Sequence, residues 1–209
     1  MGNFFNLDGP FYKYGNMLAD LLLLSLMWLL FSIPVLTIGA STTALFYVAT
    51  RRLSNKEGYV ARDFFKSFKK NLVPSSLAWL LVLGMLLLLA NNILNADLVE
   101  VMPWIVWVCQ FAVLFEVLIV SVFLFPVIAR FDMKLWTAVK SAFFMANRHL
   151  LTSVACLAVG VFLVFMVAYS FGLIFIAMGV YGFIASYLIM RIFKKYRPEI
   201  DRDPDVPIN

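Results

Sequence analysis

Apolar and polar positions fall in blocks along this chain. Long apolar runs cover Met17–Ile38, Leu72–Leu94, Pro103–Ala129 and Leu150–Met190, and short polar connectors separate them. A helix that crosses a bilayer needs about 20 mainly apolar residues, so each of the first three runs fits one span. The fourth run holds 41 residues without a formal charge. As a single helix it would reach about 60 Å, twice the hydrocarbon thickness. It is therefore read as two spans, 150–169 and 172–190, folded back at Tyr169–Gly172. The pattern predicts an all-α, polytopic membrane helix bundle of about five transmembrane helices, with residues 1–209 forming one domain.

The first run is interrupted. Asp20 stands near its start, Pro34 near its end, and Gly39–Thr43 ("GASTT") breaks the apolar pattern. A full crossing over 17–38 is the primary expectation. The competing arrangement is a re-entrant hairpin that turns near Pro34–Gly39, with Thr42–Thr50 as its returning arm. A signal peptide cleaved after Ala40 is disfavoured, because Lys13 is the one cation before the run.

Two connectors show helical rather than loop periodicity. At 100° per residue, Phe64, Phe65, Phe68 and Leu72 share about 100° of arc, with Arg62, Lys66, Lys69 and Lys70 roughly opposite. Along Leu135–Leu150, the residues Leu135, Trp136, Val139, Ala142, Phe143 and Ala146 gather on one side, away from Lys140 and Arg148. These patterns predict two cytoplasmic amphipathic surface helices, with rings at the headgroup boundary and cations facing anionic lipid. The same residues are candidates for docking a cytoplasmic partner. Asn71 and Asn147 stand 76 residues apart, as do Phe68 and Phe144, which hints at a parallel internal repeat.

Charge orients the spans. Loops rich in Lys and Arg stay cytoplasmic. Residues 40–71 carry seven cations, residues 130–149 carry Arg130, Lys134, Lys140 and Arg148, and the segment after Met190 is again basic. The connectors at 95–102 and near Ser170 carry no cation. With five spans this alternation puts the N-terminus outside and the C-terminus in the cytoplasm of a plasma-membrane protein.

Composition agrees. The chain is 63% hydrophobic and 14% charged, with a mean hydropathy of +0.91. A soluble domain is about a quarter charged, so this surface suits a lipid bilayer. The net charge of +5 resides in the connectors, where topology accounts for it, and nucleic acid is not expected as a partner. Cys109 and Cys156 lie inside apolar runs and read as packing residues. No GxSxG, HExxH, P-loop or CxxC pattern occurs, so no enzyme, cofactor or metal site is expected. Asp201, Asp203 and Asp205 read as a solvated tail.

Among polar residues at membrane depth, Glu116 stands out. It occupies the middle of the third run, where an ionised carboxylate is costly unless it finds a partner or water. Proton coupling, a substrate contact and an interhelical hydrogen bond are the readings open to it. Asp20 is placed about one turn into the first span, within reach of the outer interface. Gln110 is placed near the outer end of the third, with Asn91 and Asn92 at the end of the second.

The stretch from Gly9 to Val48 ("GPFYKYGNMLADLLLLSLMWLLFSIPVLTIGASTTALFYV") resembles the opening of the YesL family, bacterial membrane proteins classed as a domain of unknown function. "FFKSFKKNL", "VIARFD" and "RIFKKYRP" fit the same family. The resemblance implies a multi-pass membrane domain with no catalytic residues to transfer. Family genes often accompany sugar-uptake transporters, which implies an accessory or regulatory role beside sugar ABC transporter subunits. The alternative is a small transporter acting through Glu116, compatible with a homo-oligomer.

Overall fold

The computed structural model describes residues 10–54, 58–94, 103–131 and 133–196, with residues 10–14 and 103 as backbone only. Every described element is helical: α1 (Pro10–Phe31), α2 (Ile38–Leu53), α3 (Val60–Leu94), α4 (Pro103–Arg130), α5 (Leu135–Arg148), α6 (Leu150–Tyr169) and α7 (Ile174–Tyr196). Short 3-10 turns at Val35–Thr37 and Phe171–Leu173 lead into α2 and α7. The connector at 95–102 and the acidic tail lie outside the described residues.

Among the described residues, four helices are long and apolar enough to cross a membrane: Val60–Leu94, Trp104–Arg130, Leu150–Tyr169 and Phe171–Tyr196. The last two confirm that the 41-residue apolar run is two helices. Their surfaces explain the composition. On α6, Leu151, Phe162, Val164 and Phe165 are all strongly exposed, so this helix is apolar on faces that meet no protein.

The first expected span is corrected. Residues 17–38 are not one helix, because α1 ends at Phe31 and the chain bends through Ser32–Thr37 before α2 begins. Pro34 cannot continue the helix, since it lacks an N–H and its ring clashes with the preceding turn. The Thr37 hydroxyl donates to Phe31 O at 2.6 Å, and the Thr37 N–H donates to Pro34 O at 2.9 Å, so both carbonyls beside the break have partners. α1 runs for 22 residues, Pro10–Phe31, up to the break.

The centre of the molecule is α2, the segment that looked like a turn and a short returning arm. It packs against α1, α3, α4 and α7, and everything from Gly39 to Thr50 except Thr42 is buried. Small residues make this central position accessible. Gly39 lies against the Ser75 carbonyl, and a Cβ there would come within 2.6 Å of Trp79 Cβ. Further along, Gly182 on α7 makes room for Leu45. The core continues through the last turns of α4, where Val122–Ala129 are buried. The early turns of α4 and the late turns of α3 instead leave Trp104, Val108, Phe111, Leu87 and Leu88 exposed.

The first predicted surface helix is also corrected. Residues 60–94 form one continuous helix of 35 residues that passes through Pro74. A single buried stripe of Phe64, Ser67, Asn71, Ser75 and Ala78 crosses the proline position on the face toward the core. Packing of that stripe against α2 holds the helix together where local propensity would break it. The second predicted surface helix does form a separate element, α5. Its buried stripe is Ala138, Ala142 and Ala146, packed mainly on α4, while Trp136, Phe143 and Phe144 point outward.

Candidate functional site

The charged residues at the end of α2 pair with acidic residues of α1 and α3. Arg52 forks onto Asp20, with Nε 3.2 Å from Oδ2 and Nη2 donating to Oδ1 at 3.3 Å. Next to it, Arg51 Nε lies 3.4 Å from Asp63 Oδ2, and Arg51 Nη1 donates to Tyr47 Oη at 3.2 Å. Two consecutive arginines on the last turn of α2 thus tie that turn to α1 on one side and to α3 on the other. Asp20 stands beside the seven-cation connector.

An open cleft of about 450 Å³ lies at this junction, lined by Arg51, Gly58, Tyr59, Arg62, Asp63 and Lys66. Asp63 is part of the lining. Its carboxylate rests on Gly58, where a Cβ would come within 2.5 Å of Oδ2, and it pairs with Arg51. Arg62 and Lys66 are exposed and one helical turn apart, so they face the same direction.

The aromatic arc of this segment is partly covered by protein. Phe64 is fully buried, Phe68 is half-buried, and only Phe65 is exposed. All three gather around Phe31 at the end of α1, with ring centroids 5.8, 5.0 and 5.0 Å away for Phe64, Phe65 and Phe68. Arg62, Lys66, Lys69 and Lys70 remain on the exposed face. On α5, Lys140 sits 5.3 Å above the Trp136 ring, and Arg148 sits 5.7 Å from the ring of Tyr196 on α7. His149 Nε2 lies 3.1 Å from Tyr196 Oη, and Phe131 stacks edge-on to Phe193 at 5.3 Å. The ends of α4, α5 and α7 therefore meet, as the alternation of basic connectors predicts.

Glu116 finds a partner. Asn147 on α5 donates to Glu116 Oε1 at 2.6 Å, a bond between helices that ties the end of α5 to the middle of α4. Gln110 has its Oε1 buried without a hydrogen-bond partner among the described residues. The structure brings Asp20 into the basic junction, leaves Glu116 and Gln110 together on α4, and does not join the two groups.

Sequence reasoning missed a polar seam inside the bundle. Thr43 Oγ1 and Ser75 Oγ lie 2.8 Å apart, Trp28 Nε1 donates to Thr42 Oγ1 at 3.1 Å, and the Gly179 N–H donates to Ser25 Oγ at 2.6 Å. Small residues and hydroxyls are the currency of helix contact in lipid, and "GASTT" carried that signal alongside its turn-like look.

Residues 21–93 match the family described as protein of unknown function DUF624. That stretch holds α1 after Asp20, all of α2 and nearly all of α3. The chain is also 29% identical over 159 residues to the uncharacterized protein YteU of Bacillus subtilis (strain 168), covering 72% of this chain and 69% of that protein. No solved structure matches.

Proposed function

We propose that this chain is a non-enzymatic, multi-pass protein of the plasma membrane that acts as an accessory or regulatory partner of a carbohydrate uptake system. The observation that carries the docking part of this reading is the rigid cationic face of α3. Its opposite stripe is buried against α2, so Arg62, Lys66, Lys69 and Lys70 are held in a fixed array at the basic end of the bundle. A fixed array complements an acidic protein surface at a lower entropic cost than a floppy basic loop. The carbohydrate part rests on the resemblance to the YesL family.

The same geometry favours a four-span arrangement with both termini in the cytoplasm. Asp20, in the middle of α1, shares an ion pair with Arg52, which brings that part of α1 to the basic α2–α3 connector. In this arrangement α1 and α2 form the re-entrant hairpin, and α3, α4, α6 and α7 cross. Reporter fusions at the N-terminus report cytoplasmic in this arrangement. An extracellular signal would restore the five-span topology.

Docking is tested with a photo-crosslinking residue at Lys69 in native membranes. The expected capture is a transport subunit, lost when Lys66, Lys69 and Lys70 are changed to Glu. A capture pattern that ignores the charge reversal would sink the docking face. A transporter role for Glu116 is the second reading, favoured by its depth in α4. Proton flux in liposomes that disappears in Glu116→Gln supports it. Because Gln keeps an acceptor for Asn147, an unaffected Glu116→Gln protein leaves Glu116 with the interhelical bond alone.

A further inference from the structure

We infer that α5 is seated on an anionic lipid surface, and that this seat reinforces the bond between Asn147 and Glu116. α5 is a different helix from the docking face of α3, so the lipid seat goes beyond that reading and holds whether or not Glu116 carries protons. The first observation is a stripe at intervals of four residues: Trp136, Lys140, Phe144 and Arg148. Residues four apart are neighbours on a helix surface. All four are exposed, Trp136 and Phe144 at 68% and 70%, while Ala138, Ala142 and Ala146 are fully buried. Helical periodicity sets rings apart from cations on this segment, yet in the structure the exposed side carries both. Lys140 stands over the Trp136 ring and Arg148 over the Tyr196 ring. Among the described residues neither cation pairs with a carboxylate.

Such a stripe fits the boundary between acyl chains and headgroups. Aromatic rings favour that level, and cations beside them meet lipid phosphates. Water would leave two large rings bare, and the acyl interior would leave two charges without partners. The path of the chain supplies the same partner. α5 begins five residues after α4 ends, and α6 begins two residues after α5 ends. Both neighbours are long and apolar enough to cross a membrane, so tethers this short keep α5 at the bilayer. The last turn of α5 adds the second observation. Asn147 donates to Glu116 Oε1 at 2.6 Å and to Phe143 O at 3.1 Å. The bond to α4 fixes the rotation of α5 about its own axis, and that rotation turns the stripe outward. Seat and bond favour the same pose, so by linkage each strengthens the other. Asn147 is thus a positioning residue for the stripe.

The test uses the full chain in phosphatidylcholine vesicles, with and without phosphatidylglycerol. An NBD label is placed at Thr137→Cys, beside the stripe, in a Cys109→Ser background; Cys156 is buried and escapes labelling. Quenching is read with each lipid in turn carrying a nitroxide high on its acyl chain, and the ratio gives the local preference for phosphatidylglycerol. Quenching by both lipids and a preference for the anionic one are expected. Lys140→Gln with Arg148→Gln is expected to reduce that preference about fivefold per cation removed. Arg62→Gln with Lys69→Gln removes the same charge from α3 and is expected to leave it near wild type. Asn147→Ala changes no charge and keeps a good helix former, and it is expected to lower the preference through the lost bond. A label that neither lipid quenches overturns the seat. Equal quenching by the two lipids, or equal losses from the two charge pairs, overturns its anionic character. An unchanged preference in Asn147→Ala overturns the link to Glu116.

Discussion

The α2–α3 and α4–α5 hairpins each turn at a basic connector, and each returns through an amphipathic stretch with aromatic and cationic sides. In the first, the return strand of the hairpin is one helix of 35 residues whose buried stripe includes Phe64, Asn71 and Ser75. In the second, the return helix ends after 14 residues, its buried stripe is three alanines, and its large aromatic side chains face outward. The difference lies in the helix contact. On α2 the small residues Gly39, Ala40, Ser41 and Ala44 let α3 approach closely enough to bury bulky and polar side chains. Against α4, α5 presents only the small side chains of Ala138, Ala142 and Ala146 as its buried stripe. One sequence device therefore yields a core helix or a peripheral one, according to the side chains it buries.

The largest expected effect comes from closing the gap that α2 keeps open. Gly39→Leu would drive a side chain into the Ser75 carbonyl and the Trp79 Cβ, and a backbone carbonyl cannot move aside as a flexible tip can. The variant is expected to lose about 3 kcal/mol or more and to accumulate poorly. Ala142→Leu, the matched change in the second hairpin, pushes only a short peripheral helix from α4. Its expected cost is about 1–3 kcal/mol. Denaturant unfolding in detergent ranks the two. Equal losses would mean that the hairpins are packed alike and the contrast drawn here is false.

A smaller effect separates hydroxyl pairing from shape. Thr43 and Ser75 are both buried and lie 2.8 Å apart at the closest approach of α2 and α3. A double-mutant cycle with Thr43→Val and Ser75→Ala is expected to show coupling of about 1 kcal/mol, within the range measured for interhelical hydrogen bonds in lipid. Zero coupling would leave small side-chain volume as the sole reason that α3 binds α2.

These contrasts also mark where the sequence was readable. Block hydropathy located α4 and α6 to within a residue at each end, and located the apolar parts of α3 and α7. It did so because a span depends on local composition alone. The joining of Arg62–Leu72 to the following span was hidden, since periodicity shows that a face is apolar and does not show what will cover it. Phe64 illustrates the point: its position on the wheel fits lipid and a protein core equally well. The centrality of α2 was hidden for a related reason. Gly, Ser and Thr mark turns in water and close contacts between helices in lipid, and only the neighbours decide between them. The pairing of Asp20 with Arg52 spans 32 residues of sequence and has no local signature.

The smallest expected effect concerns the point where α5 stops, which has no counterpart in α3. His149 ends α5 and begins α6, with its ring 3.1 Å from Tyr196 Oη and perpendicular to the Tyr196 ring. Its pKa is lowered from the ordinary 6.5, first by burial and then by the Lys195 and Arg148 charges. The folded protein therefore prefers the neutral ring. Between the lowered value and 6.5 the unfolded chain binds more protons, so stability rises with pH across that window. The contribution is complete above 6.5 and is lost as the pH falls through the folded value. Unfolding temperatures measured downward from neutrality, and kept above the carboxylate range, are expected to fall slightly for the wild type. His149→Phe keeps a ring against Tyr196 and cannot titrate, so its curve is expected to be flatter over the same window. Identical slopes would show that His149 does not set this pH response, and the joint between α5 and α6 would then owe its position to Asn147 and Glu116.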